Sequence, residues 1–324
     1  MDYRTFGNSG LKVSTIGFGT WPIGGTATAD GYGGVDDAEA IAAIRRGIEL
    51  GITCFDTAPA YGLGRAETIL GKALGADRRN VVVVTKCGIP WSEAEKKFLR
   101  NSSYDHIMQS AEESLRCLGS DYIDVLLIHW PDVGTPIAET MRVLEDLKAS
   151  GKVRYIGVSN FSTEQIEESL TYTQLAVQQI GYNLFDRRRE GELAWLSEHN
   201  VGVMAYGPLA HGLLAGAFTP ETTFAEKDWR ASGKAFGLPI FEAENFQKNL
   251  AVVEELKAIA RTHGKTVAQL AQAWVLRRPE VTVALIGARK PSEIEASAQS
   301  AGWTLDDSTL AQIGEAMQRA AGNG

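Results

Sequence analysis

Four polar residues end or follow short apolar segments, and together they could protonate a reacting oxygen. They are Asp56 at the end of ITCFD, Tyr61 in the glycine-flanked loop after it, Lys86 at the end of NVVVVTK and His129 at the end of DVLLIH. An unperturbed tyrosine has a pKa of about 10, which is too high for an efficient acid at neutral pH. We expect the lysine to lower that pKa, the aspartate to pair with the lysine, and a neutral histidine to orient a carbonyl.

This chemistry also needs a source of electrons. The three cysteines, Cys54, Cys87 and Cys117, form no C-x-x-C pair, and the five histidines show no H-x-H or H-E-x-x-H spacing. We therefore expect neither a redox disulfide nor a catalytic metal. A hydride from a nicotinamide would fit. However, GLGRAE at 62–67 lacks the third glycine of a Rossmann fingerprint, so a dinucleotide would have to bind across the open end of another fold.

The elements that must position these residues are short apolar strands alternating with amphipathic helices. Four segments are typical of strands buried on both faces: 80–86, 124–130, 201–206 and 281–287. Weaker strand patterns occupy 15–21, 52–56, 154–160 and 176–183. Eight alternations favour a closed (β/α)8 TIM barrel over an open doubly wound sheet, and barrel enzymes place their chemistry at the carboxyl ends of the strands.

Capping residues predict where several helices begin and end. The predicted starts are Asp36 with Glu39, Ser102 with Asp105, Thr135 with Pro136, Ser162 with Gln165, and Thr266 with Gln269. Gly51 and Gly119 are the predicted ends of the first two.

Three further segments complete a single predicted domain over residues 1–324. A hairpin around 8–10 is expected to plug one barrel end, and a final helix from Asp306 to pack outside. Residues 217–247 are too long and irregular for an ordinary connection, which indicates a functional loop.

The bulk composition excludes some classes of partner. Apolar residues make up 44% and charged residues 22% of the 324-residue chain, as in ordinary globular proteins. A net charge of −8 argues against nucleic acid or an anionic membrane as a partner. No apolar stretch approaches the roughly 18 residues of a membrane span. We expect a soluble cytoplasmic protein with a small-molecule substrate, and nothing in the sequence indicates its oligomeric state.

Several segments together resemble the aldo-keto reductase family, and in particular a bacterial branch of the general-stress and inositol-operon type. They are GITCFDTAPAYGLGRAETILGKAL (51–74), VTK (84–86), LLIHWPD (126–132) and GKVRYIGVSNFS (151–162). The resemblance covers nearly the whole chain. It implies a TIM-barrel oxidoreductase in which Tyr61 is the general acid and base, Lys86 and Asp56 tune it, and His129 orients the carbonyl.

The resemblance also implies a nicotinamide cofactor. Ser159, Asn160 and Gln179 match positions that hold the carboxamide, and Tyr206 matches the aromatic residue that stacks on the ring. GPLAHGLLAG (207–216), with Gly207, Leu209 and Gly212, resembles the loop beside the pyrophosphate. GARKPSEIEAS (287–297), with Gly287, Arg289 and Lys290, resembles the adenosine-end motif. Trp21, Trp91 and Trp130 each follow a barrel strand and are candidates for the substrate pocket, with rim packing as an equal alternative for Trp91.

The adenosine end departs from the family pattern. Ala217 stands where many relatives have lysine, and Glu293 and Ser297 stand where Arg or Gln and Asn are frequent. Arg289 and Lys290 could pair with a 2′-phosphate, whereas Glu293 would oppose one if it pointed inward. The sequence favours NADP(H), with NAD(H) as the alternative.

The predicted reaction is reduction of an aldehyde or ketone with proton delivery from Tyr61. Oxidation of a sugar or another alcohol would use the same residues in reverse. Two other classes stay open: a Schiff-base aldolase with Lys86 as nucleophile, and a nicotinamide-binding redox sensor or auxiliary subunit with little turnover.

Overall fold

The computed structural model describes residues 1–25, 32–225 and 228–322. Its strands are β1 (Tyr3–Thr5), β2 (Lys12–Ser14), β3 (Ile16–Gly19), β4 (Cys54–Asp56), β5 (Val82–Cys87), β6 (Trp91–Ser92), β7 (Lys97–Phe98), β8 (Ile123–Ile128), β9 (Val153–Ser159), β10 (Val177–Gly181), β11 (Gly202–Tyr206) and β12 (Val281–Gly287). Its helices are α1 (Asp37–Glu49), α2 (Arg65–Leu74), α3 (Tyr104–Leu118), α4 (Ile137–Ala149), α5 (Thr163–Leu170), α6 (Leu193–Glu198), α7 (Ala243–Thr262), α8 (Val267–Leu276), α9 (Pro291–Ala298) and α10 (Asp307–Gly322).

Eight of these strands close into one parallel barrel in the order β3-β4-β5-β8-β9-β10-β11-β12. The ring closes where β12 pairs with β3, with Gly287 opposite Gly19. All eight predicted strand segments are present, and the predicted (β/α)8 TIM barrel is confirmed.

The uninterrupted apolar runs arise because the strands are buried on both faces. In β8, Val125 and Leu127 belong to the barrel interior, whereas Leu126 and Ile128 belong to the layer between strands and helices. Side chains alternate between the faces of a strand, so a strand covered on both sides carries apolar residues at every position. The carboxyl ends of these strands are then free to present polar side chains at one rim.

The N-terminal hairpin closes one end of the barrel. Strands β1 and β2 pair antiparallel, with Tyr3 opposite Ser14. Phe6, Leu11 and Val13 are buried and belong to the same cluster as the side chains of the barrel interior. The predicted plug is therefore confirmed.

The capping residues act largely as predicted. The Asp36 side chain accepts from the Glu39 amide at the start of α1, and complete capping boxes begin α5 and α8. Two boundaries differ. Helix α4 begins at Ile137, so Pro136 is its N-cap residue and not its first helical residue. Helix α3 is preceded by Ser103 and not by Ser102. The Ser102 amide is already bound by an Asp132 carboxylate oxygen at 2.9 Å, which holds this residue outside the helix.

The predicted insertion lies between β11 and α7. Its described part contains a short 3-10 helix at Trp229–Ser232 and a tight turn bridged by Ala235 and Leu238. Because α7 begins at Ala243, the last residues of the 217–247 range belong to that helix. The final helix α10 packs against α7 and contributes an ion pair between Arg319 and Glu255 at 2.6 Å. It is the predicted C-terminal extra helix.

Two kinds of feature are absent from the described part of the chain. Within it, no helix combines the length and apolarity needed to cross a membrane. Nor do the described residues contain a group of three His, Cys, Asp or Glu side chains arranged to hold a metal ion.

Candidate active site

The buried Lys86 is hydrogen-bonded to two other residues of the predicted tetrad, Asp56 and Tyr61. The Lys86 Nζ donates to both carboxylate oxygens of Asp56 at 2.8 Å, to the Thr57 carbonyl at 2.9 Å and to the Tyr61 hydroxyl at 3.2 Å. Asp56 ends β4 and Lys86 lies near the end of β5, its neighbour in the barrel. Adjacent parallel strands thus bring together two residues that are 30 positions apart in the sequence.

Burial opposes the charge on both members of the Asp56–Lys86 pair. It lowers the pKa of the Lys86 ammonium and raises the pKa of the Asp56 carboxyl. Each shift is opposed by the other member, and Gln179 further favours the carboxylate. The pair is therefore a buried charge contact whose members depend on one another.

Tyr61 is held at the cavity by a tight loop. A Cβ atom at Gly62 would lie 1.9 Å from the Gly24 carbonyl oxygen, and Gly62 has a φ of +66°, so this turn requires glycine. Burial raises the pKa of the Tyr61 phenol well above its usual value, and the Asp56 charge adds to that effect.

The expectation that lysine lowers the pKa of Tyr61 is therefore wrong for the protein without ligand. The Lys86 ammonium is close enough, but its charge is balanced by the Asp56 carboxylate. Without that net positive charge, removal of the phenol from water dominates. The hydroxyl therefore keeps its proton at neutral pH.

His129 completes the set from the far side of Tyr61. The two rings meet edge to face with centroids 5.9 Å apart. Burial lowers the pKa of His129 well below its usual value, and the nearby charges of Lys86 and Arg100 lower it further. The imidazole is therefore neutral, as expected. Its Nδ1 is buried and has no hydrogen-bond partner among the residues that the structure describes.

A hydrogen-bonded chain of polar side chains connects this centre to the ends of β9, β10 and β11. The Gln179 side-chain amide donates to Asp56 at 2.7 Å, and the Ser159 hydroxyl donates to the backbone carbonyl of Gln179 at 3.1 Å. The Asn160 amide donates to the Ser159 hydroxyl at 2.9 Å and accepts from the Tyr206 hydroxyl at 2.9 Å. The residues predicted to hold a carboxamide are thus one network.

These side chains border a cavity of about 650 Å³ at the carboxyl end of the barrel. Lys86 lies buried beneath its floor. The predicted residues that line the cavity are Trp21, Asp56, Tyr61, His129, Trp130, Ser159, Asn160, Gln179, Tyr206, Gly207, Leu209, Gly212, Gly287 and Arg289.

Trp91 and Lys290, which were predicted to belong to the site, do not line this cavity. Trp91 begins a small hairpin of β6 and β7, which packs its ring against Phe98 with centroids 5.1 Å apart. It borders a second, smaller cavity next to the main one. The Lys290 ammonium lies 3.9 Å from Glu39 and is not part of the lining of the main cavity. Its side chain points toward α1 and away from the cavity.

Several aromatic residues of the cavity wall are not among those predicted from the sequence. Trp229 stacks on Trp21 with centroids 5.5 Å apart, and Phe236 lies 5.4 Å from Tyr206. His211 and Tyr32 complete this wall. Trp229 and Phe236 belong to the insertion, so the aromatic residues within that irregular segment were the available signal.

The nicotinamide end of the cavity fits the cofactor that the sequence implies. Gln179 uses its amide nitrogen on Asp56, while none of the hydrogen bonds within the described chain uses its side-chain oxygen. A carboxamide NH2 group needs such an acceptor. In the adjoining loop Gly212 has a φ of +104° and lies against Arg230, so a side chain there would be strained and crowded.

The adenosine end is less suited to a 2′-phosphate. The Arg289 amide, at the start of α9, donates to the Glu293 carboxylate at 2.7 Å, and Glu293 borders the cavity. The carboxylate thus faces inward and occupies a donor that a phosphate would otherwise use.

Comparisons with known proteins agree with this arrangement. Residues 15–318 match the Aldo/keto reductase family. The chain is 38% identical to "Aldo-keto reductase YhdN" of Bacillus subtilis, over 98% of this chain and 94% of that protein. It is 34% identical to an "NADH-specific methylglyoxal reductase" of Escherichia coli, over 97% and 98% respectively. The glycerol dehydrogenase AKR11B4 from Gluconobacter oxydans superposes with a TM-score of 0.89 at 38% identity, covering 99% of this chain and 96% of that one.

Proposed function

The chain belongs to the aldo/keto reductase family of oxidoreductases, and we propose that it reduces aldehydes or ketones to alcohols with NADP(H). In this proposal Tyr61 is the general acid, Lys86 and Asp56 hold it in place, and His129 orients the carbonyl. We propose that the whole chain forms one domain. We also propose that it acts in the cytoplasm, because its three cysteines are unpaired, as is usual in a reducing compartment.

One observation carries the proposal. The Tyr61 hydroxyl borders the cavity and lies 3.2 Å from the Lys86 ammonium, which Asp56 holds at 2.8 Å. The three residues come from two strands and a loop, and this contact places a protonated phenol where a substrate can reach it.

The residues of the chain then have separate tasks. When bound, the nicotinamide supplies the hydride. His129 donates a hydrogen bond to the substrate carbonyl oxygen and turns it toward Tyr61. As negative charge grows on that oxygen, Tyr61 gives up its proton to it, and the phenolate that results keeps the hydrogen bond that the Lys86 ammonium donates at 3.2 Å. Ser159, Asn160 and Gln179 would hold the carboxamide of the nicotinamide through their side-chain hydrogen-bonding groups.

The choice between NADP(H) and NAD(H) depends on charge at the adenosine end. Arg289 borders the cavity and supports a 2′-phosphate contact. The inward-facing Glu293 opposes it, and a relative named as NADH-specific shares 34% identity with the chain. We propose NADP(H) as the preferred cofactor and NAD(H) as a usable second one.

Three other activities are alternatives to the proposed reduction. A Schiff-base aldolase would need an accessible, uncharged Lys86 amine, but this side chain is fully buried and contacts three neighbouring residues. Oxidation of a sugar or another alcohol is the reverse of the proposed reaction and requires the same residues. A nicotinamide-binding auxiliary subunit without turnover would not need the protonated Tyr61 at the cavity.

A parallel fluorescence titration with NADPH and NADH tests the proposal, followed by a panel of carbonyls and alcohols with the tighter dinucleotide. We expect binding of both, tighter for NADPH, and turnover of at least one aldehyde. Binding of neither dinucleotide would refute the proposed function. Binding without turnover over the panel would favour the auxiliary subunit, and a borohydride-trapped adduct at Lys86 would favour the aldolase.

A further inference from the structure

An arginine stands at the rim of the cavity on the side of His129. Arg100 lies in the segment between β7 and α3 and borders the cavity with an exposed side chain. Its guanidinium carbon is 4.9 Å from the centre of the Trp130 ring, and Trp130 directly follows His129. The Arg100 charge also contributes to lowering the pKa of His129, so the cation acts on the region where the carbonyl would bind.

This guanidinium is not committed to another group. Within the described chain Arg100 makes no ion pair and no side-chain hydrogen bond, and its one recorded ring contact is with Trp130. Asp132 is close enough to influence it electrostatically. However, the Asp132 carboxylate already accepts hydrogen bonds from the Ser102 amide, the Gly134 amide and the Thr135 hydroxyl. The Asp132 carboxylate thus holds the turn before α4 and is not a hydrogen-bond partner of Arg100.

A second arginine at the same cavity shows the contrast. Arg230 donates to both carboxylate oxygens of Asp228, at 2.9 and 2.6 Å, and to the His211 carbonyl at 3.2 Å. Its donors are therefore used within the protein. Arg100 keeps its five N–H donors for water or for a ligand.

Arg100 also lies on the wrong side of the barrel to serve the phosphates of a dinucleotide. The glycine-containing loop proposed to run beside the pyrophosphate follows β11, and Arg289 follows β12. The barrel strand that precedes Arg100 in the chain is β5. Around the ring, β3 and β4 separate β5 from β12. Its neighbours are Trp130 and His129, so it belongs to the part of the cavity left for the substrate.

We propose that the preferred substrates are carbonyl compounds that carry an anionic group, a carboxylate or a phosphate, and that Arg100 recognises this group. This inference rests on the proposed function, since it names the substrate class of the same site. The planar guanidinium fork matches carboxylate and phosphate oxygens in pairs, and Trp130 supports its flat face. Because the chain has a net charge of −8, anionic substrates gain no help from the overall charge, and this local cation decides their binding.

The experiment compares three para-substituted benzaldehydes, 4-carboxybenzaldehyde, 4-formylphenyl phosphate and 4-nitrobenzaldehyde. The nitro compound is a neutral counterpart of the carboxylate with nearly the same shape. For each protein, kcat/KM for the two anions is divided by kcat/KM for the nitro compound. The proteins are the wild type, Arg100→Gln, Arg100→Lys and Lys97→Gln. Lys97 is the control because it is an exposed cation on the adjoining strand β7, paired with Glu95 at 2.6 Å and absent from the cavity lining.

We expect the ratio to fall about 10- to 100-fold in Arg100→Gln, as for loss of a charge-assisted hydrogen-bonded pair, and less in Arg100→Lys. The Lys97→Gln ratio stays at the wild-type value, although both substitutions remove one positive charge. Added salt should reduce the wild-type ratio more than the Arg100→Gln ratio. Which of the two anions gives the larger ratio tells whether carboxylate or phosphate is preferred.

The outcomes separate this inference from the proposed function. If the wild type reduces all three aldehydes and the ratio is the same in Arg100→Gln, the inference is overturned while the reductase activity stands. If the wild type reduces none of them and binds no dinucleotide, the proposed function itself has failed. Dinucleotide titration of each variant shows that it is folded.

Discussion

The Lys86 ammonium lies 3.2 Å from the Tyr61 hydroxyl, yet the pKa of that phenol is raised. Burial of the phenol raises this pKa, and the Asp56 charge adds to the effect. Because Asp56 also holds the ammonium at 2.8 Å, the lysine positions the phenol without presenting it with a net positive charge. The centre is therefore prepared with the proton on Tyr61. It responds only when negative charge appears on an oxygen beside it, which is the event that the proposed reduction creates.

Substitution of Tyr61 by phenylalanine should abolish most of the turnover while preserving cofactor binding. The phenol is the proton donor, and proton transfer by a placed group contributes about 10²- to 10⁴-fold to a rate. We expect kcat for aldehyde reduction to fall by that factor and the Kd for NADPH to stay within about twofold. Tyr104→Phe is the control, since that hydroxyl donates to Asp146 at 2.9 Å on the protein surface and Tyr104 does not line the cavity. Near-normal turnover by Tyr61→Phe would remove Tyr61 from the mechanism.

The His129 ring should stay neutral through the physiological pH range. Burial and the charges of Lys86 and Arg100 lower its pKa, so the neutral form persists as the pH falls past the usual value for histidine. In ¹⁵N spectra of histidine-labelled protein, we expect the His129 ring shifts to stay constant from pH 8 to pH 6. The His129→Asn variant assigns those signals. A titration of them with a midpoint near the ordinary histidine value would contradict the neutral assignment.

Glu67 should make the folded protein less stable as the pH rises. Its carboxyl is buried, accepts from the Thr85 hydroxyl at 2.6 Å and has a raised pKa caused by that burial. A carboxyl with a raised folded pKa holds its proton in the native state after the unfolded state has lost it, so stability falls with rising pH over that interval. Glu67→Gln removes this effect and can still accept from Thr85.

The measurement is urea unfolding of both proteins at pH 5 and pH 8. We expect the stability of Glu67→Gln, relative to the wild type, to be higher at pH 8 than at pH 5. Glu198→Gln is the matched control, because it makes the same replacement at an exposed carboxylate. An unchanged difference between wild type and Glu67→Gln at the two pH values would mean that Glu67 does not titrate in this way.

Glu293 should weaken the binding of a phosphorylated cofactor. Its carboxylate faces the cavity and is bound by the Arg289 amide at 2.7 Å, where it repels a 2′-phosphate. In Glu293→Gln we expect the Kd for NADPH to fall roughly tenfold relative to the Kd for NADH, an effect that added salt reduces. Both constants come from fluorescence titration. Glu295→Gln on the same helix is the control, because Glu295 is paired with Arg46 at 2.6 Å. Equal changes for both dinucleotides would show that Glu293 does not discriminate between them.

The sequence by itself determined the barrel and most of the polar set at its rim. Strands buried on both faces leave apolar runs such as the one before His129, and their count and alternation with capped helices indicate a closed parallel barrel. Once the strands are in register, the residues that follow them must meet at one end. Asp56, Lys86 and Gln179 could therefore be placed together from the chain alone.

Only the tertiary structure decided how these groups act on one another. Lys86 was expected to lower the pKa of Tyr61, but the Asp56 carboxylate, 2.8 Å from the ammonium, balances its charge. No sequence pattern determines that distance. Likewise, only the structure shows that the Trp91 ring packs against Phe98 and that Phe236 of the insertion packs against Tyr206. Strand positions follow from periodic hydrophobic burial, which the sequence records directly. Charge compensation and loop packing depend on atomic contacts between distant segments, and these exist only after the chain has folded.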